Sequence, residues 1–201
     1  MFIQVIQGAV GDADGLRAAV ERWRDEIAPR VSGWLGSTGG ATPDGKAVAV
    51  VRFESAEAAR RNSERPEQQQ WWAEASRHFA GDVTFHDCEQ VLQFLDGGSD
   101  EAGFVQIIQG RTTDVDRMRQ LMEQSSDALR ALRPDVLGGT VALHGDGGFT
   151  QTVYFTSEAA AREGERKEPP PEVKAMNEQV SALLSEATFY DLPRPWLHSP
   201  A

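Results

Sequence analysis

The chain has 201 residues, a formal charge of −11 and a single cysteine, Cys88. The acid excess argues against a nucleic-acid backbone or an anionic membrane as partner, because both select clustered Lys and Arg. One cysteine excludes an intrachain disulfide and a thiolate-only metal site; with no basic region ahead of an apolar core and no apolar run near a bilayer span, the expectation is a soluble, cytoplasmic protein.

Residues 2–7 are rich in Ile, Val and Phe and stop at Gly8, which predicts a strand. Asp12 is placed to cap a helix whose Leu16, Val20, Trp23 and Ile27 fall at helical spacing. Residues 34–38 and 47–53 then read as a hairpin around Pro43, Asp44 and Gly45. Ser55 caps a helical segment that breaks at 63–66, a second helix resumes, and residues 83–87 form a last strand. Residues 89–95 could add an edge strand, and 96–103, rich in Gly, Ser and acid, read as a flexible linker.

At Phe104 the chain starts over. Phe2-Ile3-Gln4-Val5-Ile6-Gln7-Gly8 returns as Phe104-Val105-Gln106-Ile107-Ile108-Gln109-Gly110, and Leu35-Gly36-Ser37-Thr38 returns as Leu137-Gly138-Gly139-Thr140. After a two-residue insertion, Thr84-Phe85-His86-Asp87 matches Thr188-Phe189-Tyr190-Asp191. Each copy therefore reads β-α-β-β-α-β, the split βαβ order of ferredoxin-like units. The expected domains are 1–95 and 104–201, joined by the linker at 96–103. The tail at 192–197 carries two prolines and makes a poor strand. Helices cover one face of such a sheet and leave the other bare. The expected fold class is thus α+β, two tandem ferredoxin-like domains packed sheet to sheet as an intramolecular barrel. The fusion makes a pseudo-dimer within one chain, and association of two chains into a homodimer is left open.

The unit order and size, the junctions Val51-Arg52-Phe53-Glu54-Ser55 and Val153-Tyr154-Phe155-Thr156-Ser157, and the following Trp71-Trp72 resemble the antibiotic biosynthesis monooxygenase domain of the dimeric α/β-barrel superfamily. The resemblance covers nearly the whole chain. It implies a site for small, often aromatic molecules, in a group that includes cofactor-independent oxygenases of quinol-like substrates and haem-degrading enzymes.

Candidate residues follow from strand and helix periodicity. With Ile3 and Val5 assigned to the helix side of the first strand, Gln4 and Gln106 face the barrel interior, where an amide can orient a ligand or the two can pair with each other. If Phe53 packs under the helices, Arg52 and its counterpart Tyr154 also point inward. An interior Arg would bind an anionic or phenolate oxygen; the alternative is a salt bridge at the rim. His86 and Tyr190 share one register on the last strand and could reach the same cavity. On the second helix Trp72 falls in the core stripe. Trp71 and His78 lie seven apart on another face and have only Ala175 and Ala182 as counterparts. A Trp and a His here are similar to those of the haem-degrading relatives, which add an Asn on the first strand where this chain has Gln4. For His78 the alternative is an exposed imidazole on the helix dipole. Asn62 resembles the amides that cofactor-independent members use, and a turn role is the alternative.

The leading expectation is a cofactor-independent monooxygenase-like enzyme acting on a small aromatic metabolite with dioxygen. In it His86 or His78 acts as base, Arg52 stabilises negative charge, and Gln4, Gln106, Asn62, Trp71, Tyr154 and Tyr190 hold substrate. No cofactor is demanded, and the four scattered histidines lack metal-ligand spacing. The competing expectations are a non-catalytic small-molecule binding or stress-response protein and a haem-binding one.

Overall fold

The structure is a computed structural model and describes residues 1–200. The first copy contributes β1 (Phe2–Ala9), α1 (Ala13–Glu26), β2 (Trp34–Ala41), β3 (Lys46–Phe53), α2 (Ala56–Ser63), α3 (Pro66–Ala75) and β4 (Thr84–Cys88). After β5 (Gln90–Leu95) the second copy repeats the order with β6 (Phe104–Thr112), α4 (Val115–Leu132), β7 (Val136–Leu143), β8 (Gly148–Phe155), α5 (Glu158–Arg166), α6 (Pro171–Leu183) and β9 (Leu184–Leu192). A short β10 (Trp196–His198) closes the chain.

The capping residues act as their sequence positions predict. Asp12 accepts the Gly15 N–H and Asp114 the Arg117 N–H at 2.9 Å, while Ser55 and Ser157 accept from Ala58 and Ala160. Pro66 and Pro171 open α3 and α6 from inside the first turn, where no amide hydrogen is needed. Gly45 and Gly147 take φ of +80° and +88° in the two hairpin loops, a conformation open to glycine at no steric cost.

Two five-stranded antiparallel sheets result, in the orders β10-β2-β3-β1-β4 and β5-β7-β8-β6-β9. The fold class is α+β with two ferredoxin-like units. The expected placement of the edge segments is corrected, however. The strand after the first copy sits in the second sheet, beside β7, and the proline-flanked tail supplies β10 to the first sheet. The compact units are accordingly Met1–Gln90 with the tail from Pro195, and Val91–Arg194. Pro193 and Pro195 precede the paired residues and so remove no ladder hydrogen bond, which is why the tail can pair despite them. Both β2 and β7 need such cover, because Gly36, Gly39 and Gly40 in one and Gly138 and Gly139 in the other leave them weak edges. At Gly139 a Cβ would lie 2.2 Å from the Phe94 ring of β5, so glycine there lets the added strand dock.

The face assignment on β1 is also corrected. Phe2, Phe53 and Trp34 lie in cross-strand register and pack with Trp23, Ile27 and Ala58 of the helical layer. Alternation then puts Gln4, Ile6, Ala49 and Val51 on the helix side and Ile3, Val5, Val50 and Arg52 on the other. Ile3 and Val5 are fully buried there. Because each face of β1 carries two large apolar residues and one Gln, its sequence lacks the alternation that would have distinguished them. No helix among the described residues is long and apolar enough to cross a membrane.

A chain ending at Arg194 should lose hydrogen-exchange protection along Ser37, Thr38 and Gly39, the residues that face β10, and should unfold at lower urea concentration. Amides of β8 should keep their protection. Unchanged exchange on β2 would show that β10 adds nothing to the first unit.

Candidate functional site

The first unit contains a cavity of about 110 Å³ between its sheet and its helices. Gln4, Ile6, Gly39, Ala47, Ala49 and Val51 form its floor. Leu16, Val20 and Trp23 of α1, Asn62 of α2 and Trp71 and Trp72 of α3 wall it, and Trp196 of β10 reaches it from the exchanged strand. The aromatic wall is continuous. Trp23 meets Trp34 edge to face at 5.2 Å and Trp71 at 6.2 Å, Trp71 meets Trp72 at 6.0 Å, and Trp72 meets Phe85 at 5.3 Å. Each such pair contributes about 0.5–1.5 kcal/mol beyond its buried area, enough to keep the wall ordered around an unfilled space.

Polar groups around the cavity are mostly engaged elsewhere. Trp23 Nε1 donates to Gln68 Oε1 at 2.6 Å and Trp71 Nε1 to the Ala19 carbonyl at 2.7 Å, so these indoles present only carbon to the cavity. Gln4 Nε2 donates to Asp87 Oδ1 at 2.8 Å across β1 and β4, which orients its amide. Asn62 differs. It is 7 % exposed, and its Oδ1 is buried with no hydrogen-bond partner. An unsatisfied buried acceptor costs about 1–3 kcal/mol, so Asn62 Oδ1 marks a place where the packing of the first unit is incomplete.

Solved structures share this architecture. A candidate monooxygenase from Lactobacillus acidophilus superposes with a TM-score of 0.74 at 13 % identity, covering 98 % of this chain and 96 % of its own. A candidate monooxygenase from Fusobacterium nucleatum gives 0.75 at 9 %, covering 100 % and 94 %. The chain shares the fold of these two proteins over nearly its whole length. An anthrone oxidase-like protein follows at 0.63 and 12 %, covering 98 % and 93 %. No protein-family model and no curated protein matches the sequence. At these identities the fold is what is shared.

Within this fold the structure separates the residues that the sequence nominates. Gln4, Asn62 and Trp71 line the cavity together, with Gln4 on the helix side of the sheet rather than the face first assigned to it. Arg52 is 7 % exposed on the opposite face, where its Nη1 donates to Thr38 Oγ1 at 2.9 Å. His86 pairs in register with Val5 and shares that opposite face. Gln106, Tyr154 and Tyr190 belong to the second unit. There Gln106 Nε2 donates to Asp191 Oδ1 at 2.9 Å, mirroring Gln4 and Asp87. Tyr154 is fully buried and Tyr190 nearly so.

His78 is more than an exposed helix end. Its Nδ1 lies 3.0 Å from Asp12 Oδ2, and its backbone carbonyl accepts the Gly11 and Asp12 N–H groups, clamping the end of the α3 segment to the start of α1. A Cβ on Gly15 would fall 2.2 Å from Asp12 Oδ2 and 2.3 Å from the imidazole, so the pair closes directly over that glycine. His78 is not among the cavity's lining residues.

Sequence reasoning missed Trp196, Phe79, Gln68 and the small floor residues. The floor had a signal: Gly39, Ala47 and Ala49 stand where the second copy has Val141, Phe149 and Gln151. Trp196 had none, because its place depends on a strand exchange that no local pattern announces.

Two titrations test these surroundings. The Gly15 N–H, and after it the His78 imidazole, hold the Asp12 carboxyl below the usual carboxylate range. A lowered folded-state pKa stabilises above the unfolded value near pH 4 and is lost as pH falls through the folded value. Asp12→Asn should therefore flatten the acid limb of a stability–pH curve; an unchanged limb would remove the assignment. Burial, and then the Asp87 charge, push the Cys88 thiol up to about 12. Iodoacetamide at pH 8 should leave Cys88 unmodified in the folded chain and label it in urea.

Proposed function

We propose that the first unit binds a small, electron-rich aromatic molecule carrying a hydroxyl or amino donor, as the substrate site of a monooxygenase-type reaction with dioxygen. One observation carries this reading: an aromatic-walled, largely apolar cavity lined by Asn62, whose buried carbonyl oxygen Oδ1 has no hydrogen-bond partner. Pockets of this kind, apolar with a few convergent polar groups, bind small molecules. At about 110 Å³ the cavity is smaller than the roughly 150 Å³ apolar cavity that admits benzene, so a single ring would fill it and reach its open mouth. Asn62 would accept the donor, Gln4, held by Asp87, would fix a second edge, and the indoles of Trp71 and Trp72 would enclose the ring. The fold's likeness to candidate monooxygenases supports oxygen as co-substrate.

Among the described residues no ionisable side chain lines the cavity. Proton removal from a bound phenol then falls to solvent at the mouth or to the His78–Asp12 pair, whose Nδ1 contact leaves Nε2 as the basic nitrogen. The same observation favours a second reading, in which the cavity binds its ligand without turnover. Haem fits neither the space, which is far smaller than a porphyrin, nor the position of His78 outside the lining, so no step is assigned to it.

The test uses a panel of phenols and naphthols. Binding should quench tryptophan fluorescence with one site per chain, and Asn62→Leu should weaken it about five- to tenfold, the loss of one hydrogen bond, while raising the stability of the free protein. Oxygen consumption with catechol above the blank rate supports the oxygenase reading, and binding without consumption the second. No binding by any member of the panel would refute both.

A further inference from the structure

The two units have the same strands in the same register, yet only the first keeps its floor open. Ile6, Ala49, Gly39 and Trp196 lie in one cross-strand row. The corresponding row of the second unit reads Ile108, Gln151 and Val141. One step along the sheet, Ala47 pairs with Gly8 where Phe149 pairs with Gly110. In the second unit Val141 and Phe149 belong to a continuous core with Phe94 and Met118, against which Ile108 and Met122 also pack. Their counterparts in the first unit surround the cavity instead.

We infer that Gly39, Ala47 and Ala49 determine the specificity of the site, limiting its occupant to one flat six-membered ring and its capacity to one molecule per chain. This rests on the reading of the cavity as an aromatic-binding site. The volume of about 110 Å³ sets the limit, since it lies below the roughly 150 Å³ of an apolar cavity that admits benzene. Ile6 bounds the row on one side and Trp196 on the other. The third small residue sets the depth. In the second unit the Phe149 ring leans over Gly110, where a Cβ would meet it at 3.1 Å. In the first unit that place over Gly8 is held by Phe79, whose ring a Cβ would meet at 3.0 Å. A large side chain at position 47 therefore has only the cavity to enter.

The experiment titrates phenol and 1-naphthol into the full chain by tryptophan fluorescence, alongside Ala47→Val, Ala47→Phe and Gly39→Ala. Phenol should bind at least tenfold more tightly than 1-naphthol. Ala47→Val should weaken phenol several-fold and Ala47→Phe should abolish its binding, with folding checked by near-ultraviolet circular dichroism; Ala47→Val keeps the test alive if the Phe variant does not fold. Equal or tighter binding of 1-naphthol, a second phenol per chain, or unchanged phenol affinity in Ala47→Val and Gly39→Ala would overturn the inference while leaving an aromatic site in place. Failure of both ligands on the native chain would instead overturn the reading on which it rests.

Discussion

A strand that contains three glycines in eight residues cannot hold the edge of a sheet by side-chain packing, and β2 is such a strand. Its backbone must be paired on both sides. In this chain the pairing comes from β10, more than a hundred residues further along the sequence, and the matching need of β7 is met by β5 from the end of the first copy. The first unit is therefore not a continuous stretch of sequence, whereas the second runs unbroken from Val91 to Arg194. The exchange also explains why glycine persists at these positions. Gly139 lies beneath the Phe94 ring, and a Cβ at Gly36 would fall 2.8 Å from the His198 carbonyl and 2.5 Å from the Arg52 guanidinium, at a φ of +130° that side chains avoid. The weak strand and the strand that covers it specify each other.

The cavity inherits this dependence. Its floor crosses β1, β3 and β2, and its far wall is Trp196, which stands opposite Gly39 only because β10 is in place. The site thus exists once the last segment of the chain has docked, a contact of very high sequence separation and correspondingly slow closure. The helical side is assembled locally. Trp23 and Trp71 are tied by their N–H groups to Gln68 and Ala19, and the His78–Asp12 contact fixes the end of the α3 segment against the start of α1.

Much of this was legible in the residues, and the failures have physical causes. The helix caps, the hairpin glycines and the β-α-β-β-α-β order were readable because each rests on local chemistry: a carboxylate or hydroxyl meeting an orphan N–H, or a positive φ. Asn62 and Trp71 were singled out and do meet in the cavity. Gln4 was singled out for the wrong face, because alternation carries no information on a strand whose two sides are equally apolar. Arg52 was assigned by periodicity to the face away from the helices, with Phe53 beneath them, and both lie so; His86, opposite Val5, shares the face of Arg52, and the cavity is on the other side of the sheet. Trp196 was invisible for the opposite reason. Its role depends on topology, and the prolines around it argued against the strand that it forms.

Divergence between the copies is concentrated where one unit needs space and the other needs packing. The frame is kept: Gln4 and Gln106 each bond an aspartate on the adjoining edge strand, and Phe2 and Phe104 each oppose a phenylalanine. In the second unit Arg162 joins Asp191 to this frame and lies 5.1 Å over the Phe104 ring, whereas its counterpart Arg60 pairs with Glu57 and Glu64 on its own helix face. Gly164 stands where the first unit has Asn62, and the Arg133 guanidinium lies within 3 Å of where its Cβ would be. The second unit is not simply the filled version of the first, because Gly164 and Arg133 themselves line a cavity of about 640 Å³ among α4, α5 and α6. The two copies keep one frame and place their open space differently: over the small residues of the sheet in the first, among the helices in the second.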